Sequence, residues 1–541
     1  MKRFIIAELK RFVPENVPII VTVPDDEAVG EYATSVAFAL GKLEKRAPMA
    51  VAEELKVKLE AQDAGKLFAR IDVAKPGFLN FRLTPSALHH ELEAMLDSGN
   101  QYGHSVQETP KKVQVEFISA NPTGPLTLAN GRGGFLGDVI ANVLEAVGHV
   151  VEREYYVNDT GNQVLTLGKS LLAAKGFIPD EETFYKGDYI KLWADAHTDT
   201  VTALKDDPQE LGHEAAKEFL FIIKSVVEGK AGVLFSRYTS ERDDIQGKGY
   251  VEKALAFFKT KGVVYEQDGA TWLKTSEFGD DKDRVLITGK GEPTYFLTDA
   301  GHYLETVERG FDTKVNILGP DHYGYVARIQ AAAKLVGLRN STVIITQAVR
   351  LMRGGEEVKM SKRSGTFVMF DELVEEVHPD AARFFFLMLS PDSHLDFDLE
   401  LAKERSMKNP VFYVQYAYVR IVSVLEKAEV TSPERVRKGG VAELFSAADP
   451  SLLSTREDMR LIRKLAEFPD ELAATAEDYH VHRLTRYAME LSRTFHEWYE
   501  KERVVGEEPA LMNARISLLV AAKSVFECLF DTLGISAPEK M

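Results

Sequence analysis

Residues 113–147 read VQVEFISANPTGPLTLANGRGGFLGDVIANVLEAV, and this stretch decides the fold. Val113, Val115 and Phe117 alternate with Gln114 and Glu116, the period of a strand. Asn121, Pro122, Gly124 and Pro125 make a turn-rich loop. Phe135, Leu136, Val139, Ile140, Val143, Leu144 and Val147 then recur at helical spacing until Gly148 stops the run. A strand, a polar loop and a helix N-terminus build an anion site, because free N–H groups and the helix dipole face the loop. That suits a nucleotide phosphate. No Gly-Lys-Ser/Thr closes the loop, and the glycine spacing does not fit the dinucleotide fingerprint. An ordinary strand–helix connection carries the same local pattern, so a second element is needed to decide. That element is Lys359-Met360-Ser361-Lys362-Arg363, followed by Ser364-Gly365.

Further strands are expected at 150–157, 315–318 and 343–346, the first two ending in Asn158-Asp159-Thr160-Gly161 and Gly319-Pro320-Asp321-His322. Polar groups at strand C-terminal ends lie where open α/β sheets bind ligands. Tyr295 and Asp299 are four apart and share one face of a helix. A carboxylate accepts two coplanar N–H donors of a guanidinium and the phenol oxygen can take a third; a surface Tyr–Asp pair is the bland alternative. Two lysines three apart, on a loop approached through Gly354-Gly355, can close over pyrophosphate, although a lone KMSKR is also common as a solvated basic turn.

The chain divides into three units. Residues 1–107 read as a small α+β domain, with a helix opening at 31–34 and running through Val36, Ala37 and Leu40, a second helix through Ala50, Ala52, Leu55 and Leu59, and strands at 67–73 and 78–83. Residues 108–405 form the nucleotide-binding unit, carrying a helical insertion at about 166–269, after which Val285-Leu286-Ile287 restarts the sheet. Asp280, Asp281, Lys282, Asp283 and Arg284 read as a solvated, self-paired turn. Residues 406–541 read as helices, the first from Asn409 to Lys427, with breaks near Pro433, Pro450, Pro469 and Pro509.

Composition bounds the function. A chain of 541 residues needs two to four cores, and 45% apolar with 28% charged residues is the make-up of a soluble globular protein. The single cysteine, Cys528, leaves no disulfide or cysteine zinc site within one chain and reads as a buried small hydrophobe; it fits a reducing cytoplasm. Glu8 and Lys10 cut the N-terminal apolar run too short for a signal peptide, and no run approaches the ~18 residues of a membrane span. A net charge of −17 argues against non-specific RNA coating, while a local basic surface can still hold phosphates and an acidic interior suits a cationic ligand.

The segments EFISANPTGPL, EYYVNDTGNQ, YKGDYIK, FGDDKDRVLI, PTYFLTD, LGPDHYGY, VKMSKRSG, HLDFDLELAK and VQYAYVRI occur in this order. Together they resemble the class I aminoacyl-tRNA synthetases, and most of all the arginyl-tRNA synthetases, over nearly the whole length. The resemblance implies an α/β Rossmann-like catalytic domain between an N-terminal α+β domain that touches the tRNA's outer corner and a C-terminal all-α anticodon-binding bundle. It implies arginine, ATP and tRNA(Arg) as substrates, Mg2+ accompanying ATP, no tightly bound cofactor, no protein metal site, and a cytoplasmic monomer. It places Glu116, Asn121, Tyr295, Asp299 and His322 (or Tyr323 beside it) around arginine, and Thr127, Asn130, Gly131, Met352, Met360 and Ser361 on ATP. Lys359 and Lys362 would hold pyrophosphate, and Gln415, Tyr416 and Met541 the tRNA. In one place the chain departs from the family: the four positions of its His-x-Gly-His motif read Thr127-Leu128-Ala129-Asn130. Thr offers one O–H donor and Asn two N–H donors, so the bonding can survive without imidazole, and the tryptophanyl branch similarly uses Thr-x-Gly-Asn. The replacement also supports an alternative, a tRNA-binding relative without catalysis. An enzyme for another cation is a third reading, but lysine would lose the bidentate geometry.

Overall fold

The structure, a computed structural model, describes residues 1–541 except 25, 27, 108, 359–367 and 429–447. At its centre are five strands: β1 (Lys112–Glu116), β2 (Val150–Val157), β3 (Arg237–Ser240), β4 (Thr313–Leu318) and β5 (Asn340–Ile345). All are parallel, and they lie in the order β3-β2-β1-β4-β5. That is the doubly wound order, and its topological switch point falls between β1 and β4.

Helix α1 (Leu128–Ala146) follows β1 and packs on the sheet's apolar side. A Cβ on Gly137 would meet the Phe117 ring at 2.2 Å, so only glycine lets the helix lie this close. Helix α2 (Tyr295–Glu308) presents His302, Tyr303 and Thr306 to the opposite, polar side. The alternation in β1 therefore does not separate a wet face from a dry one. Gln114 and Glu116 are as buried as Val113 and Val115, because a parallel sheet is covered on both faces.

The expected insertion needs redrawing. Asn162–Ala174, Asp188–Ala196 and Pro208–Lys224 do form a helical unit with its own core around Leu167, Leu171, Ile190, Trp193 and Leu211. But Arg237–Ser240, placed by sequence inside the 166–269 insertion, is β3 of the central sheet. Arg284–Ile287 does not restart that sheet either; it pairs antiparallel with Ala270–Leu273 in a separate three-stranded sheet completed by Val264–Gln267. The acidic turn is self-paired as expected through Arg284 and Asp280 (2.7 Å), yet Asp280 is buried rather than solvated.

In the N-terminal domain, strands Val21–Thr22, Tyr32–Thr34, Phe78–Leu83 and Phe68–Ala74 form one antiparallel sheet in that order. Residues 32–34, expected to open a helix, are a strand because Tyr32 and Thr34 both turn inward opposite Phe81 and Leu79; the helix starts only at Val36. At the C-terminal end, Pro410, Pro469 and Pro509 sit in the first turns of helices Pro410–Lys427, Phe468–Asp478 and Pro509–Leu533, where a missing N–H costs nothing. Pro450 opens a short 3-10 turn, and Pro433 lies outside the described residues. Cys528 is buried. No helix among the described residues is long and apolar enough to cross a membrane.

The helices Asn162–Ala174 and Pro208–Lys224 touch through glycine: a Cβ on Gly168 would lie 1.8 Å from the Pro208 carbonyl oxygen, and one on Gly212 would lie 1.9 Å from that of Val164. Gly168→Ala is therefore expected to destabilise this unit by about 1–3 kcal/mol or more. The measurement is hydrogen exchange of residues 162–224, which should accelerate while the central sheet stays protected.

Candidate active site

Across the C-terminal half of the sheet, register sets Asn316, Glu116, Glu154 and Arg237 side by side, with Lys314 and Gln114 one notch below. Lys314 is fully buried. Its Nζ lies 2.9 Å from Glu116 Oε2 and 2.8 Å from Glu154 Oε2, and it donates to Gln114 Oε1. Glu154 Oε1 accepts from Thr239 Oγ1 (2.6 Å), and His302 Nε2 is 3.0 Å from Oε2. Burial alone would lower the lysine and raise the acid. The pairing outweighs it, so Lys314 is shifted upward and Glu154 far downward. Glu116, Glu154 and His302 bring three ligand atoms within 4.8 Å of one another, but the ammonium of Lys314 already supplies the cation there.

Glu116 is thus not an isolated acid waiting for a substrate. Its Oε2 accepts from Lys314 and from Asn316 Nδ2 (2.7 Å), whereas Oε1 has only Ser119 Oγ at 3.3 Å. One turn of α2 above His302, the half-buried Asp299 has no hydrogen bond or ion pair with any described residue. Burial pushes it up to about 6; His302 and Arg328 pull against that shift and the Glu116 charge adds to it. Glu241, immediately after β3, is also buried, accepts from Gln246 Nε2 (3.1 Å), and is pushed up to about 7 by burial and by the charges of Asp299 and Asp159. The sheet rim therefore carries two acids that form no ion pair with any described residue, beside one that is paired with Lys314. Tyr295, 63% exposed, stands at the mouth, its hydroxyl 3.7 Å from where a Cβ of Gly161 would be.

Asn121 Nδ2 donates to Gln163 Oε1 at the same rim. His322 is exposed, 3.5 Å from Asp321, and makes no contact with Glu116 or Asp299. Its neighbour Tyr323 lines a hollow of about 540 Å³ with Ile344, Pro391 and Tyr479, which reaches toward the helical domain.

At the N-terminus of α1, Asn130 Oδ1 accepts from the Thr127 N–H (2.9 Å) and Thr127 Oγ1 (2.8 Å), which leaves the Asn130 amide N–H donors for a ligand. Gly131 answers to packing: a Cβ there would sit 2.2 Å from the Phe370 ring. Lys359, Met360, Ser361 and Lys362 lie outside the described residues, but the chain on either side of them is placed. The hairpin Val349–Arg353/Glu356–Glu357, which includes Met352, leads in; on the far side Met369 bridges to Thr127 and the Phe370 N–H donates to Leu126 O (3.0 Å). The buried Arg132 clamps the same region, donating to the carbonyls of Gln347 (2.9 Å), Ser390 (2.9 Å) and Ser393 (2.8 Å). The flank of the basic loop is therefore stitched to the first motif.

In the helical domain, Tyr416 lines a hollow of about 590 Å³ with Phe412, Arg420 and His496; Arg420 stacks on Tyr416, and burial lowers His496 to about 4. Gln415 instead turns inward, its amide donating to Asp380 Oδ2 (2.8 Å) and Ser536 O (3.0 Å), so a core bond takes the donors that a base would need. Met541 is exposed.

Three family models match the chain: the arginyl tRNA synthetase N terminal domain over residues 1–83, the catalytic domain of class I (R) tRNA synthetases over 91–385, and the DALR anticodon binding domain over 414–541. The chain belongs to the arginyl-tRNA synthetases. Curated arginine–tRNA ligases of this family are similar from end to end: that of Geobacter sp. (strain M21) is 42% identical, over 95% of this chain and 93% of its own length, and that of Frankia alni is 41% identical over 99% and 98%. The arginyl-tRNA synthetase of Thermus thermophilus shares the fold, with a TM-score of 0.78 at 23% identity over 99% of this chain and 98% of that one.

Sequence reading of this synthetase missed Glu241 and Lys314. Glu241 follows a four-residue polar edge strand that reads as part of a helical insertion; the one available signal was an acid directly after β3. Lys314 stands just before the strand expected at 315–318, where no apolar pattern marks it as buried. Because Asp299 and Glu241 hold their protons more tightly folded than unfolded, each subtracts stability as pH rises from the ordinary carboxylate range toward 6–7. Asp299→Asn is therefore expected to raise the thermal midpoint by about 1–3 °C at pH 7.5, and by less at pH 5. Calorimetry at the two pH values checks this.

Proposed function

We infer that the chain is an arginine–tRNA ligase. It activates arginine with ATP, giving arginyl-adenylate and pyrophosphate, and transfers the arginyl group to the 2′-hydroxyl of the terminal adenosine of tRNA(Arg). The observation that carries the specificity is the pair of acids, Asp299 and Glu241, that form no ion pair with any described residue at the rim of the doubly wound sheet. A guanidinium would offset part of their negative charge, with Tyr295 offering a phenol oxygen from the same helix face as Asp299. Glu116 Oε1 and Asn121 would bind the rest of the amino acid. No side chain needs to act as a base, because the α-carboxylate already carries its nucleophilic oxygen.

ATP would lie over the N-terminus of α1, where the Asn130 N–H donors and the helix dipole meet its phosphates. Lys359 and Lys362 would neutralise the departing pyrophosphate; downstream of them, Met369 bridges to Thr127. Mg2+ would arrive with ATP. The reading with catalysis is favoured by Asn130, whose amide N–H donors stand where the family has histidine while the Thr127 hydroxyl is taken up by Asn130 Oδ1, and Ala129 is accommodated in the first turn of α1. In the helical domain, the hollow beside Tyr416 offers an aromatic face and Arg420 to an anticodon base.

Purified protein with ATP and total tRNA is expected to charge radiolabelled arginine and not lysine; binding of tRNA without charging would restore the non-catalytic alternative. Asp299→Asn should lower kcat/KM for arginine roughly 30-fold or more, as expected when one side of a desolvated charge pair is lost. Arginine binds the ionised acids, so its KM should fall as pH rises from about 5.5 to 7.5 and then level off. A KM independent of pH over that range would remove both acids from the pocket.

A further inference from the structure

The cluster beneath the amino-acid pocket contains a charge that the reaction has no evident use for. Lys314 touches no solvent, projects from the middle of the sheet, and reaches two glutamates on two neighbouring strands. A lysine kept only for stability has apolar substitutes of the same volume that cost less to bury. What it does locally is specific. Together with Asn316 it occupies one oxygen of Glu116 and leaves the other with a single 3.3 Å contact. Asn316 is itself held by the Tyr303 hydroxyl, which donates to its Oδ1 at 2.7 Å, and the Lys314 ammonium lies 5.5 Å from the centre of the Tyr303 ring.

We propose that Lys314 is a positioning residue for arginine recognition: an internal cation that grips Glu116 Oε2 from below, so that Oε1 faces the substrate and the site takes up only one external cation. The division of charge follows. Glu116 and Glu154 share the internal ammonium, and Asp299 and Glu241 are left for the guanidinium. Without Lys314, Glu116 can rotate and the pocket holds excess negative charge, which draws other cations and loosens the fit to arginine. This rests on Glu116 being part of the arginine pocket.

The test uses the full-length chain with ATP, arginine and tRNA. Charging of arginine by the parent protein tests the pocket reading itself; the variants test Lys314. Lys314→Met removes the ammonium at nearly constant volume. Lys314→Met/Glu154→Gln removes one charge of each sign and protects the fold, and Asn316→Leu removes only the neutral donor to the same Glu116 oxygen. Each folded variant is expected to raise the KM for arginine at least tenfold while the KM for ATP stays within twofold. A purely structural lysine would lower the active fraction, and so apparent kcat, without separating the two KM values. An arginine KM that rises less than tenfold, or in step with the ATP KM, in any folded variant overturns the proposal. If neither Lys314 variant folds, the Asn316→Leu result alone decides it.

Discussion

An ammonium group shut between two carboxylates, with no water to screen it, is the interaction around which this sheet is arranged. Lys314 on β4, Glu116 on β1 and Glu154 on β2 meet only because three parallel strands run in a single register. The attraction is strong in a low-dielectric interior, and so is the penalty for losing either sign. Further polar groups join the arrangement: Thr239 from β3, His302 and Thr306 from α2, Gln114 from β1. The same charges that hold the strands together set the electrostatics of the cleft above them. The acids without an internal partner, Asp299 and Glu241, are the ones shifted upward.

The nucleotide side depends on a different kind of constraint. There the backbone does the joining. Arg132 donates to three carbonyls from segments more than 200 residues away, and Phe370 occupies space that only a glycine at 131 can leave. Both residues act on the distance between the N-terminus of α1 and the hairpin that leads to the basic loop. Neither needs to touch a ligand. The strand–helix turn that carries Thr127 is thereby tied to the chain on both sides of the basic residues 359–363.

Much of this was legible from residue patterns. The strand at 113–117, the helix after it, Val150–Val157, and the Tyr295/Asp299 face all lie where periodicity put them, because long apolar repeats and glycine stops report local structure directly. The errors fall on polar or short elements. β3 is four residues of Arg, Tyr, Thr and Ser at the sheet's edge, with no apolar run to announce it. The Arg284–Ile287 strand looked like a return to the main sheet because a strand pattern does not name its partner. Gln415 and Tyr416 are adjacent on one helix, and only packing shows that the first turns into the core and the second into a hollow.

By itself the sequence determined the class of the chain, the strand, turn and helix of 113–147, and the helix that carries Tyr295 and Asp299 on one face. Each of these is written in local chemistry: turn formers, periodic apolar positions, spacing on a helix face. Tertiary structure alone decided which acids are free. Glu116, Asp299 and Glu241 are all carboxylates in the sequence; in the structure one neighbouring strand brings a lysine within 2.9 Å of the first, and no described residue forms an ion pair with the other two. Charge compensation acts through space, over distances of a few ångströms, and residues 116, 241, 299 and 314 come that close only when the sheet has formed.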